Sequence, residues 1–582
     1  MNFWILTNRI NMKKRIANII IEQLIDQNIG FLFGVTGKAI SPLIDATLDY
    51  SNFEFIASKH ESGASLMAYG YAQGSGKIGV CCSTTGGGCT NLATGVATAY
   101  MNSIPMIVIT GQISTHEFAK GAFQESTGFC QSINSVDFFK PITKESFLAN
   151  SYSNIPELIR YAIRAATSGR MGPIHISIPF DIQMAEIEYI KPKVKGVRAL
   201  SNFFYDTSIL ADVLFLIKQS KAPVFLIGWG GVLSGASKEI INIAEKLKIP
   251  IATTLQGKGA IASNHPLHIG IMGVCGHPMA ADYIFEKSDL LIAIGTSFGE
   301  FTTFNWDTRF GENRKIVQID IDNREIGKNY PVDIGLVGDA KVIIHQLSNM
   351  LDFIDLKAKA SGVDIENRIK NDSKYIDSHV MNDESIPIKP QRLMKEVGEN
   401  CPKNTIFLAD SGSHWAWAMH YLPVYETGGF YPATGLASMG AAICSSIGVK
   451  LSKPNHPVVC ICGDGSFLMY GNEISTAQQY NIPVVWIILN DSKYGLPSTS
   501  LKKMFNRSVG VELSKINFLN LASVFNIKGY RVENPKDLST VIIEAISLNK
   551  PVVIDVVIDT NEIPPLASRK LIETTEAVSQ NK

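Results

Sequence analysis

The sequence predicts an α/β protein with three doubly wound parallel-sheet domains. The chain has 582 residues, which is too long for a single hydrophobic core. Hydrophobic residues make up 46% of it and charged residues 18%, a composition typical of a globular protein. Short apolar runs rich in β-branched residues alternate with helical periodicities and glycine turns. This alternation indicates parallel sheets covered by helices on both faces.

Three stretches of this alternation are separated by two linkers. One linker is predicted near Met184–Asn202 and contains the basic run Lys191–Arg198, which we interpret as solvated chain. The other covers Asp352–Ser385, which is charged and is followed by Pro387-Ile-Lys-Pro390. We therefore expect an N-terminal, a central and a C-terminal domain over residues 13–185, 203–351 and 386–565.

Net charge and cysteine content indicate which binding partners and which cellular compartment to expect. The formal net charge is zero, which argues against nucleic acid or an anionic membrane as the main partner, since both attract a basic excess. The nine cysteines lie in or beside apolar runs, without metal-site or disulfide spacing, and we expect Cys460 and Cys462 to be small core residues. The apolar segment Phe3–Leu6 is too short for a signal peptide, and no apolar run reaches membrane-spanning length. A cytoplasmic location is expected, with translation starting at Met1 or Met12.

The first two domains show alternating helix and strand patterns. Isoleucine and leucine residues recur on one face of Lys14–Gln27, which predicts a helix. Apolar runs predict N-terminal strands at Phe31–Gly37, Phe53–Ser58, Val80–Ser83, Met106–Thr110 and Ile174–Pro179. The same pattern predicts central strands at Pro223–Gly228, Ile249–Thr254, Leu290–Ile294 and Ile316–Ile321.

The C-terminal domain contains the stretch around which the chain is organised. Strands are predicted at Thr405–Asp410, Pro457–Cys462 and Pro483–Leu489, with a helix over Tyr470–Tyr480. Gly463–Ser466 follows the second of these strands, and Asn490-Asp491 follows the third. Because open α/β sheets bind ligands at the carboxyl ends of their strands, Asp464 and Asp491 suit a divalent cation such as Mg²⁺ that bridges to phosphates. The spacing alone leaves a plain strand–turn–helix equally open.

The stretch Gly463–Phe467 followed by Asn490-Asp491 resembles the thiamin-diphosphate-binding motif. From about Lys14 to about Thr560 the chain resembles the large subunit of acetohydroxyacid (acetolactate) synthases, a family of thiamin-diphosphate-dependent enzymes. Further segments support the resemblance: Lys59–Ala64, Thr84–Asn91, Gly111-Gln112, Ala122–Glu125, Ser411–His414 and Thr434–Gly440. It implies a pyrimidine-binding, a central FAD-binding-like and a diphosphate-binding domain.

Glu61 follows an apolar strand and opens a run of small residues. By itself this pattern is also typical of a carboxylate that complements a helix dipole. In the family the matching glutamate hydrogen-bonds N1′ of the aminopyrimidine and acts in acid–base catalysis through the cofactor. The resemblance also places Phe123 and Gln124 at the reaction chamber. The alternative for these two is a loop aromatic and a solvated amide.

The resemblance assigns the diphosphate and the metal ion to the C-terminal domain. The residues that it implies for thiamin diphosphate, besides Glu61, are Gly412, Ser413, His414, Ala437, Met439, Gly465 and Ser466. Met439 would force the bent conformation of the cofactor, although a lone methionine is more often a core residue. The metal ligands implied are Asp464, Asp491 and a backbone carbonyl near Lys493.

FAD is expected in the central domain, where the family's glycine turns lie along a mostly structural flavin. The residues implied are Arg170, Thr254, Leu255, Gln256, Gly273, Asp320 and Asp339. Against FAD, the family's arginine-bearing segment is replaced here by Ser297–Phe301. The alternative is an empty domain whose glycines close turns.

The implied reaction is decarboxylation of a 2-oxo acid, with pyruvate favoured, and joining of the two-carbon unit to a carbonyl acceptor. By resemblance the site forms between two chains, so a homodimer or homotetramer is expected. A simple decarboxylase or oxidase with the same cofactor is an alternative. A flavin- or nucleotide-binding protein without carbon–carbon chemistry is another, and the presence of both Glu61 and Asp464 argues against it.

Two departures from the family pattern concern the acceptor. Gly495–Ser500 stands where the family has a segment ending in an acceptor-selecting tryptophan, so a hydroxyl residue replaces the ring. Lys38 replaces a glycine near the entrance. Both changes are compatible with drift within the family, or with a larger or anionic acceptor such as a keto-sugar nucleotide.

Overall fold

Three six-stranded sheets form the framework of the chain. The computed structural model describes residues 13–191, 206–353, 356–371 and 374–566. All strand pairs within the three sheets are parallel. The predicted α/β class with three doubly wound parallel sheets is therefore confirmed. The domain boundaries 13–185, 203–351 and 386–565 stay predictions, and residues 203–205 lie outside the described residues.

The N-terminal strands alternate with helices along the chain. The strands are β1 (Lys13–Arg15), β2 (Phe31–Gly34), β3 (Glu54–Ala57), β4 (Gly79–Ser83), β5 (Met106–Gln112), β6 (Glu145–Leu148), β7 (Pro173–Pro179) and β8 (Glu186–Glu188). The helices are α1 (Ile16–Asp26), α2 (Ser41–Ala46), α3 (Glu61–Ser75), α4 (Gly87–Asn91), α5 (Ala93–Met101), α6 (Ser135–Phe139), α7 (Ile155–Thr167) and α8 (Phe180–Met184). The sheet order is β3-β2-β4-β5-β7-β6.

The predicted helix Lys14–Gln27 begins two residues late, because β1 precedes it. β1 pairs antiparallel with β8, which places Lys13 opposite Glu188 and Arg15 opposite Glu186. Opposite charges directly across two strands stabilise the pairing. The first predicted linker therefore contains a strand, and its residues 192–202 lie outside the described residues. The basic run is described only at Lys191, which pairs with Asp26 at 2.9 Å.

The central sheet is buried on both faces, as its near-continuous apolar strands require. Its strands are β9 (Pro223–Ile227), β10 (Ile251–Thr253), β11 (His268–Ile271), β12 (Leu290–Ile294), β13 (Lys315–Asp320) and β14 (Ile334–Val337), in the order β11-β10-β9-β12-β13-β14. Its helices are α9 (Thr207–Gln219), α10 (Trp229–Leu233), α11 (Ser237–Leu247), α12 (Pro278–Asp282), α13 (Ala340–Leu351) and α14 (Ala360–Asn371). Successive residues of β9 alternate between two separate cores, with Phe225 in one and Val224 in the other.

Helix α14 lies inside the stretch Asp352–Ser385 that the sequence predicts as a linker. Its Ile365 is buried in the same core as Val224, and Ile369 packs against that core. The high charge content of the segment led to its prediction as a linker. Apolar residues at helical spacing are nevertheless enough to pack a helix against the sheet.

The C-terminal sheet repeats the architecture. Its strands are β15 (Ile406–Ala409), β16 (Phe430–Pro432), β17 (Val458–Gly463), β18 (Val485–Asn490), β19 (Lys528–Val532) and β20 (Val552–Val557), in the order β16-β15-β17-β18-β20-β19. Its helices are α15 (Pro390–Asn400), α16 (Ser413–Tyr421), α17 (Ala441–Ser452), α18 (Asp464–Tyr470), α19 (Ile474–Gln479), α20 (Gly495–Phe505), α21 (Phe518–Val524) and α22 (Leu538–Ser547). Cys460 and Cys462 are fully buried in β17, as predicted.

The helix predicted at Tyr470–Tyr480 differs from the structure. A helix begins at Asp464 directly after β17, and a 3-10 turn at Gly471–Glu473 separates it from α19. The later turns have an apolar periodicity that predicts a helix. The two glycines around Asp464 have a low helix propensity, so the sequence does not predict a helix that begins there.

The chain forms two compact units. The first contains the described part of residues 1–199 with Gly435–Pro454 and Tyr470–Ile482, and in it α17 packs along α3. The second contains the central sheet and the C-terminal sheet. No helix in the described ranges is long and apolar enough to cross a membrane.

Candidate active site

The carboxyl ends of β17 and β18 place Asp464 and Asp491 side by side. The two strands are parallel neighbours, so the residues that follow them share one edge of the sheet. Asp464 is 3% exposed. Its Oδ1 accepts a hydrogen bond of 2.7 Å from the N–H of Gly465, and its Oδ2 accepts one of 2.6 Å from the N–H of Ser492. The second bond ties Asp464 to the turn that carries Asp491.

Both carboxyl groups have raised pKa values. Burial, followed by the charge of Asp491, raises the pKa of Asp464 to about 7. Burial raises the pKa of Asp491 to about 6, which the nearby Lys493 partly opposes. Two neighbouring carboxyl groups, one buried and one half-buried, that repel each other fit a hard divalent cation, which neutralises both. The described residues hold no cluster of three or more His, Cys, Asp or Glu side chains suited to a metal, so backbone, water and phosphate oxygens would complete the coordination of Mg²⁺.

The side chains of Asn490 and Lys493, on either side of Asp491, form hydrogen bonds with other parts of the C-terminal domain. Nζ of Lys493 donates a hydrogen bond of 2.6 Å to the carbonyl of Thr560, so only its backbone is placed to serve a metal. Nδ2 of Asn490 donates to Oδ1 of the fully buried Asp555 at 2.9 Å. Asn490 therefore fixes the turn and leaves Asp491 as the oxygen ligand.

His414 lies at the start of α16, beside Gly412 and Ser413. It is 6% exposed, and its Nε2 is buried without a hydrogen-bond partner among the described residues. Burial lowers the pKa of His414 to about 3, and a hydrogen bond with the backbone of Asp410 opposes this shift. An anionic oxygen at Nε2 would satisfy the atom and favour the protonated ring. The helix N-terminus adds backbone N–H donors for the same anion.

Gly495 shows that the helix start and the carboxylates belong to one site. A Cβ atom at Gly495 would lie 2.6 Å from Oγ of Ser413 and 3.4 Å from Oδ2 of Asp491. The predicted diphosphate-binding serine and the predicted metal ligand are thus brought together. Ser466 is also at this edge, but its hydroxyl is bonded to the backbone of Gly463 and shapes the turn.

In the first unit, Glu61 is the first residue of α3 and is held by the glycine-rich turn. Nδ2 of Asn91 donates a hydrogen bond of 3.0 Å to Oε2 of Glu61. A Cβ atom at Gly88 would lie 3.0 Å from Oε1, so glycine leaves that oxygen accessible. Ser62 completes the helix start, because its N–H donates to Nδ1 of His60 at 3.1 Å. The carboxylate is therefore oriented at Oε2 and open at Oε1.

Gln124 reaches the same glycine-rich turn. Its backbone has a φ of +61°, in the left-handed region, and Thr85 Oγ1 donates a hydrogen bond of 2.8 Å to its carbonyl. A Cβ atom at Gly86 would lie 3.1 Å from Cβ of Gln124. Phe123 is 87% exposed in this single chain. The structure thus brings Gln124 and Glu61 to one turn and leaves Phe123 on the surface of the first unit.

The sequence matches three domains of one protein family. They are the N-terminal TPP binding domain over residues 14–132, the central domain over residues 210–347 and the C-terminal TPP binding domain over residues 410–556 of thiamine pyrophosphate enzymes. The chain is 37% identical to a probable acetolactate synthase large subunit of Methanococcus aeolicus, covering 97% of this chain and 96% of that one. The chain belongs to the thiamine pyrophosphate enzyme family.

Other relatives carry related names. A probable acetolactate synthase large subunit of Methanocaldococcus jannaschii is 37% identical over 94% of this chain and 93% of its own length. The acetolactate synthase large subunit of Haemophilus influenzae is 30% identical over 94% of this chain and 95% of its own length. The resemblance of this chain to that enzyme family is confirmed.

The residues present fit thiamin diphosphate, the cofactor of the family. The orphaned Nε2 of His414 and the start of α16 suit its diphosphate. The raised pKa values of Asp464 and Asp491 suit the accompanying cation. In the first unit, Oε1 of Glu61 is free to bond the pyrimidine ring.

Three predicted residues lie in loops of the first unit. Ala437 is exposed and has a φ of +52°, and Met439 is half-buried, both just before α17. Arg170 is exposed, and its Nε donates a hydrogen bond of 2.9 Å to Oγ of Ser103. Their roles toward thiamin diphosphate and FAD stay predictions.

The predicted FAD residues of the second unit all lie at the carboxyl edge of the central sheet. Thr254, Leu255 and Gln256 follow β10, Gly273 follows β11, Asp320 ends β13, and Asp339 follows β14. An elongated dinucleotide fits along such an edge. Two of the side chains also have structural partners: Asp339 caps α13 through the N–H groups of Lys341 and Val342, and Nε2 of Gln256 donates to Oγ1 of Thr434 at 2.7 Å.

The sequence did not predict two residues of the site and its support, Asn91 and Lys258. Asn91 ends the glycine-rich turn Thr84–Asn91 on which the resemblance partly rests. Its position in that turn could have indicated a role near the cofactor. Lys258 is 5% exposed, and its Nζ donates to the carbonyls of Ala418, Met419 and Leu422 at 2.6, 2.9 and 2.7 Å. It therefore caps the end of α16, whose start carries His414. No sequence pattern near Lys258 predicts this contact.

Proposed function

We propose that the protein uses thiamin diphosphate and Mg²⁺ to decarboxylate a 2-oxo acid, with pyruvate favoured, and to join the two-carbon unit to a carbonyl acceptor. The observation that carries this proposal is the buried Asp464 and the half-buried Asp491 beside the start of the helix with the orphaned Nε2 of His414. The names of the relatives, acetolactate synthase large subunits, support the acetyl-transfer chemistry.

Bound thiamin diphosphate would supply the carbon nucleophile and the electron sink for decarboxylation. The protein's part is to bind, orient and move protons. Asp464, Asp491 and the carbonyl near Lys493 would hold Mg²⁺, while His414 and the first N–H groups of α16 would bind the diphosphate. Glu61 would exchange a proton with N1′ of the aminopyrimidine through Oε1, while Asn91 holds Oε2. Phe123 and Gln124 line the chamber that receives the two carbonyl substrates.

A second candidate differs in the acceptor. Ser500 is exposed on α20, where the family has the acceptor-selecting tryptophan, and this helix begins at Gly495 against Ser413 and Asp491. Lys38 is exposed, and its ammonium has no hydrogen-bond or ion-pair partner in the described part of the chain. A missing ring and an added positive charge favour a larger or anionic acceptor, such as a keto-sugar nucleotide.

FAD, assembly and location complete the proposal. The edge formed by Thr254, Gly273 and Asp320 supports a structural FAD in the central domain. A homodimer or homotetramer is proposed from the family, with Glu61 of one chain and Asp464 of another forming the complete site. The nine cysteines are all free thiols, which supports a reducing cytoplasm.

The test is product analysis by mass spectrometry. Isotope-labelled pyruvate is supplied with thiamin diphosphate, Mg²⁺ and a panel of acceptors: a second pyruvate, 2-oxobutyrate and keto-sugar nucleotides. Labelled carboligation products support the proposal, and the best acceptor identifies the second carbonyl. Acetaldehyde with CO₂ would instead establish a simple decarboxylase, and acetate formed with a reduced electron acceptor would establish an oxidase. If the protein releases no CO₂ from any 2-oxo acid in the presence of the cofactor, the proposal is refuted.

A further inference from the structure

Glu473 is a buried carboxylate that the proposed chemistry does not use. It ends the 3-10 turn Gly471–Glu473 and is fully buried in the first unit. Burial raises its pKa, and hydrogen bonds from its neighbours oppose that shift. No cation is paired with it at salt-bridge distance among the described residues, and the ammonium of nearby Lys59 donates instead to Gln479 at 2.7 Å. A buried carboxylate without an ion pair must be held by hydrogen bonds.

The donors to Glu473 are the backbone groups just before Glu61. Oε1 accepts from the N–H of His60 at 2.9 Å and from the N–H of Lys59 at 3.1 Å. Oε2 lies 3.2 Å from the same N–H of Lys59 and accepts from Oγ1 of Thr476 at 2.8 Å. All of these partners are donors, which matches a carboxylate, an acceptor at both oxygens.

The first turn of α3 is shaped to admit this carboxylate. A Cβ atom at Gly63 would lie only 2.3 Å from Oε1 of Glu473, so no other residue fits there without displacing it. Farther along the same segment, Tyr480 accepts a hydrogen bond of 2.9 Å from the N–H of Ala57 through its hydroxyl. The segment Gly471–Tyr480 thus holds both the end of β3 and the start of α3.

We propose that Glu473 is a positioning residue for Glu61. It fixes the peptide groups of Lys59 and His60, and thereby sets where the backbone of Glu61 enters α3. Asn91 fixes the side chain of Glu61 and Glu473 fixes its backbone, so the two contacts together define the direction of Oε1. The inference rests on the proposed function in that Glu61 serves as the proton-exchanging group at N1′.

The requirement for a carboxylate follows from the donor set. An amide at position 473 keeps one acceptor oxygen but turns an NH₂ group toward donors, so Glu473→Gln retains part of the contact. Glu473→Ala leaves the N–H groups of Lys59 and His60 without these acceptors, and an unpaired donor carries a free-energy cost. The first turn of α3 would then relieve this cost by shifting or fraying.

The first experiment measures the backbone itself, without cofactor. Hydrogen–deuterium exchange of peptides covering residues 55–66 is compared in the wild-type protein, Glu473→Ala, Glu473→Gln and the control Ser475→Ala. Ser475 lies in the same segment and donates only to the carbonyl of Asn472, at an exposed position. We expect about tenfold faster exchange for Glu473→Ala, an intermediate value for Glu473→Gln and no change for Ser475→Ala. Unchanged exchange in both Glu473 variants would overturn the inference.

The second experiment links the backbone to Glu61. Exchange of the C2 proton of saturating thiamin diphosphate is followed by NMR in the same proteins, together with the affinity for the cofactor. We expect exchange about tenfold slower in Glu473→Ala, with an affinity within about twofold of wild type and partial rescue in Glu473→Gln. A normal C2 exchange rate in a variant with a loosened backbone would make Glu473 merely structural and refute the inference. If the wild-type protein itself does not accelerate C2 exchange, the proposed function fails, and the backbone measurement still decides whether Glu473 fixes α3.

Discussion

Asn91 donates a hydrogen bond of 3.0 Å from Nδ2 to Oε2 of Glu61. Because an amide N–H can only donate, this contact holds Glu61 with that oxygen in the accepting role. Oε1 has no hydrogen-bond partner in the described part of the chain and lies beside Gly88, where no side chain blocks it. One oxygen of the catalytic candidate is thus fixed and the other is exposed to a ligand.

The first prediction concerns this pair. Glu61→Gln should still bind thiamin diphosphate but lose about 10²–10⁴-fold in turnover, because an amide cannot exchange the proton at N1′. Asn91→Ala should lose about tenfold, since one hydrogen bond to a charged group is removed while the carboxylate remains. Steady-state turnover and cofactor affinity check both, with Thr90→Ala as control, because its hydroxyl bonds only the nearby carbonyl of Gly87. Full activity of Glu61→Gln would contradict the assigned role.

The second prediction concerns the metal carboxylates. Asp464→Ala removes one proposed oxygen ligand of Mg²⁺ and should abolish measurable binding of thiamin diphosphate, because in the proposed site the cation links the protein to the diphosphate. Titration calorimetry with and without Mg²⁺ measures this loss. The exposed Asp537 offers a matched carboxylate, and Asp537→Asn should bind as wild type does. An unchanged affinity in Asp464→Ala would remove Asp464 from the metal site.

The third prediction is a pH dependence of metal stabilisation. The pKa of Asp464 is raised from 3.8 to about 7 by burial and by Asp491, so the folded metal-free protein holds more protons than the unfolded chain between those values. Its stability contribution is therefore present at low pH and is lost as pH rises toward about 7. Mg²⁺ requires the ionised carboxylates, so its binding should tighten over the same range. The rise in Tm caused by Mg²⁺ alone should be larger at pH 8 than at pH 6.

The control for this pH effect is Asp464→Asn, which cannot ionise at that position. The Mg²⁺-induced shift in Tm should be small in this variant and much less dependent on pH. An equal shift at pH 6 and pH 8 in the wild-type protein would show that the carboxylates are already ionised at pH 6.

The fourth prediction concerns the cap of α16. Lys258→Met leaves the carbonyls of Ala418, Met419 and Leu422 without their shared donor and should lower the free energy of unfolding by about 1–3 kcal/mol. Burial lowers the pKa of Lys258 well below its usual value, while three carbonyls at the negative end of a helix favour the charged amine. Because α16 begins at Ser413, the affinity for thiamin diphosphate should fall as well.

Lys246 provides the comparison for Lys258. Its Nζ also lies at a helix end, near the carbonyl of Leu351 and Oδ1 of Asp352, but its side chain is 49% exposed. Lys246→Met should change the free energy of unfolding by less than about 0.5 kcal/mol, which urea denaturation resolves. Equal effects of the two substitutions would show that burial of Lys258 adds nothing to the cap.

The sequence predicts what is local and misses what is remote. Strands such as β12 and β17 are buried on both faces, so their composition alone marks them, and the polar residues after them fall at a sheet edge by topology. For this reason Asp464 and Asp491 could be predicted from the sequence. Lys258 bonds a carbonyl 160 positions away, and Glu473 bonds a backbone group 413 positions away. Such partners are set by the packing of separate segments, and no pattern around either residue encodes them.

The last prediction concerns the acceptor substrate. Lys38 is exposed and unpaired among the described residues, and Ser500 replaces the ring that selects small 2-oxo acids in the family. If Lys38 attracts an anionic acceptor, Lys38→Gly should lower kcat/KM for a keto-sugar nucleotide by about 5–150-fold, since one pocket group is worth roughly 1–3 kcal/mol. The same variant should leave carbon dioxide release from pyruvate unchanged, because in the proposed reaction decarboxylation precedes acceptor binding. Lys221→Gly, which removes an exposed ammonium from a loop of the second unit, controls for the loss of a surface charge elsewhere. Competition between pyruvate, 2-oxobutyrate and the large acceptor decides the question: if acetolactate or acetohydroxybutyrate forms with the highest kcat/KM and Lys38→Gly changes nothing, the acceptor is an ordinary small 2-oxo acid.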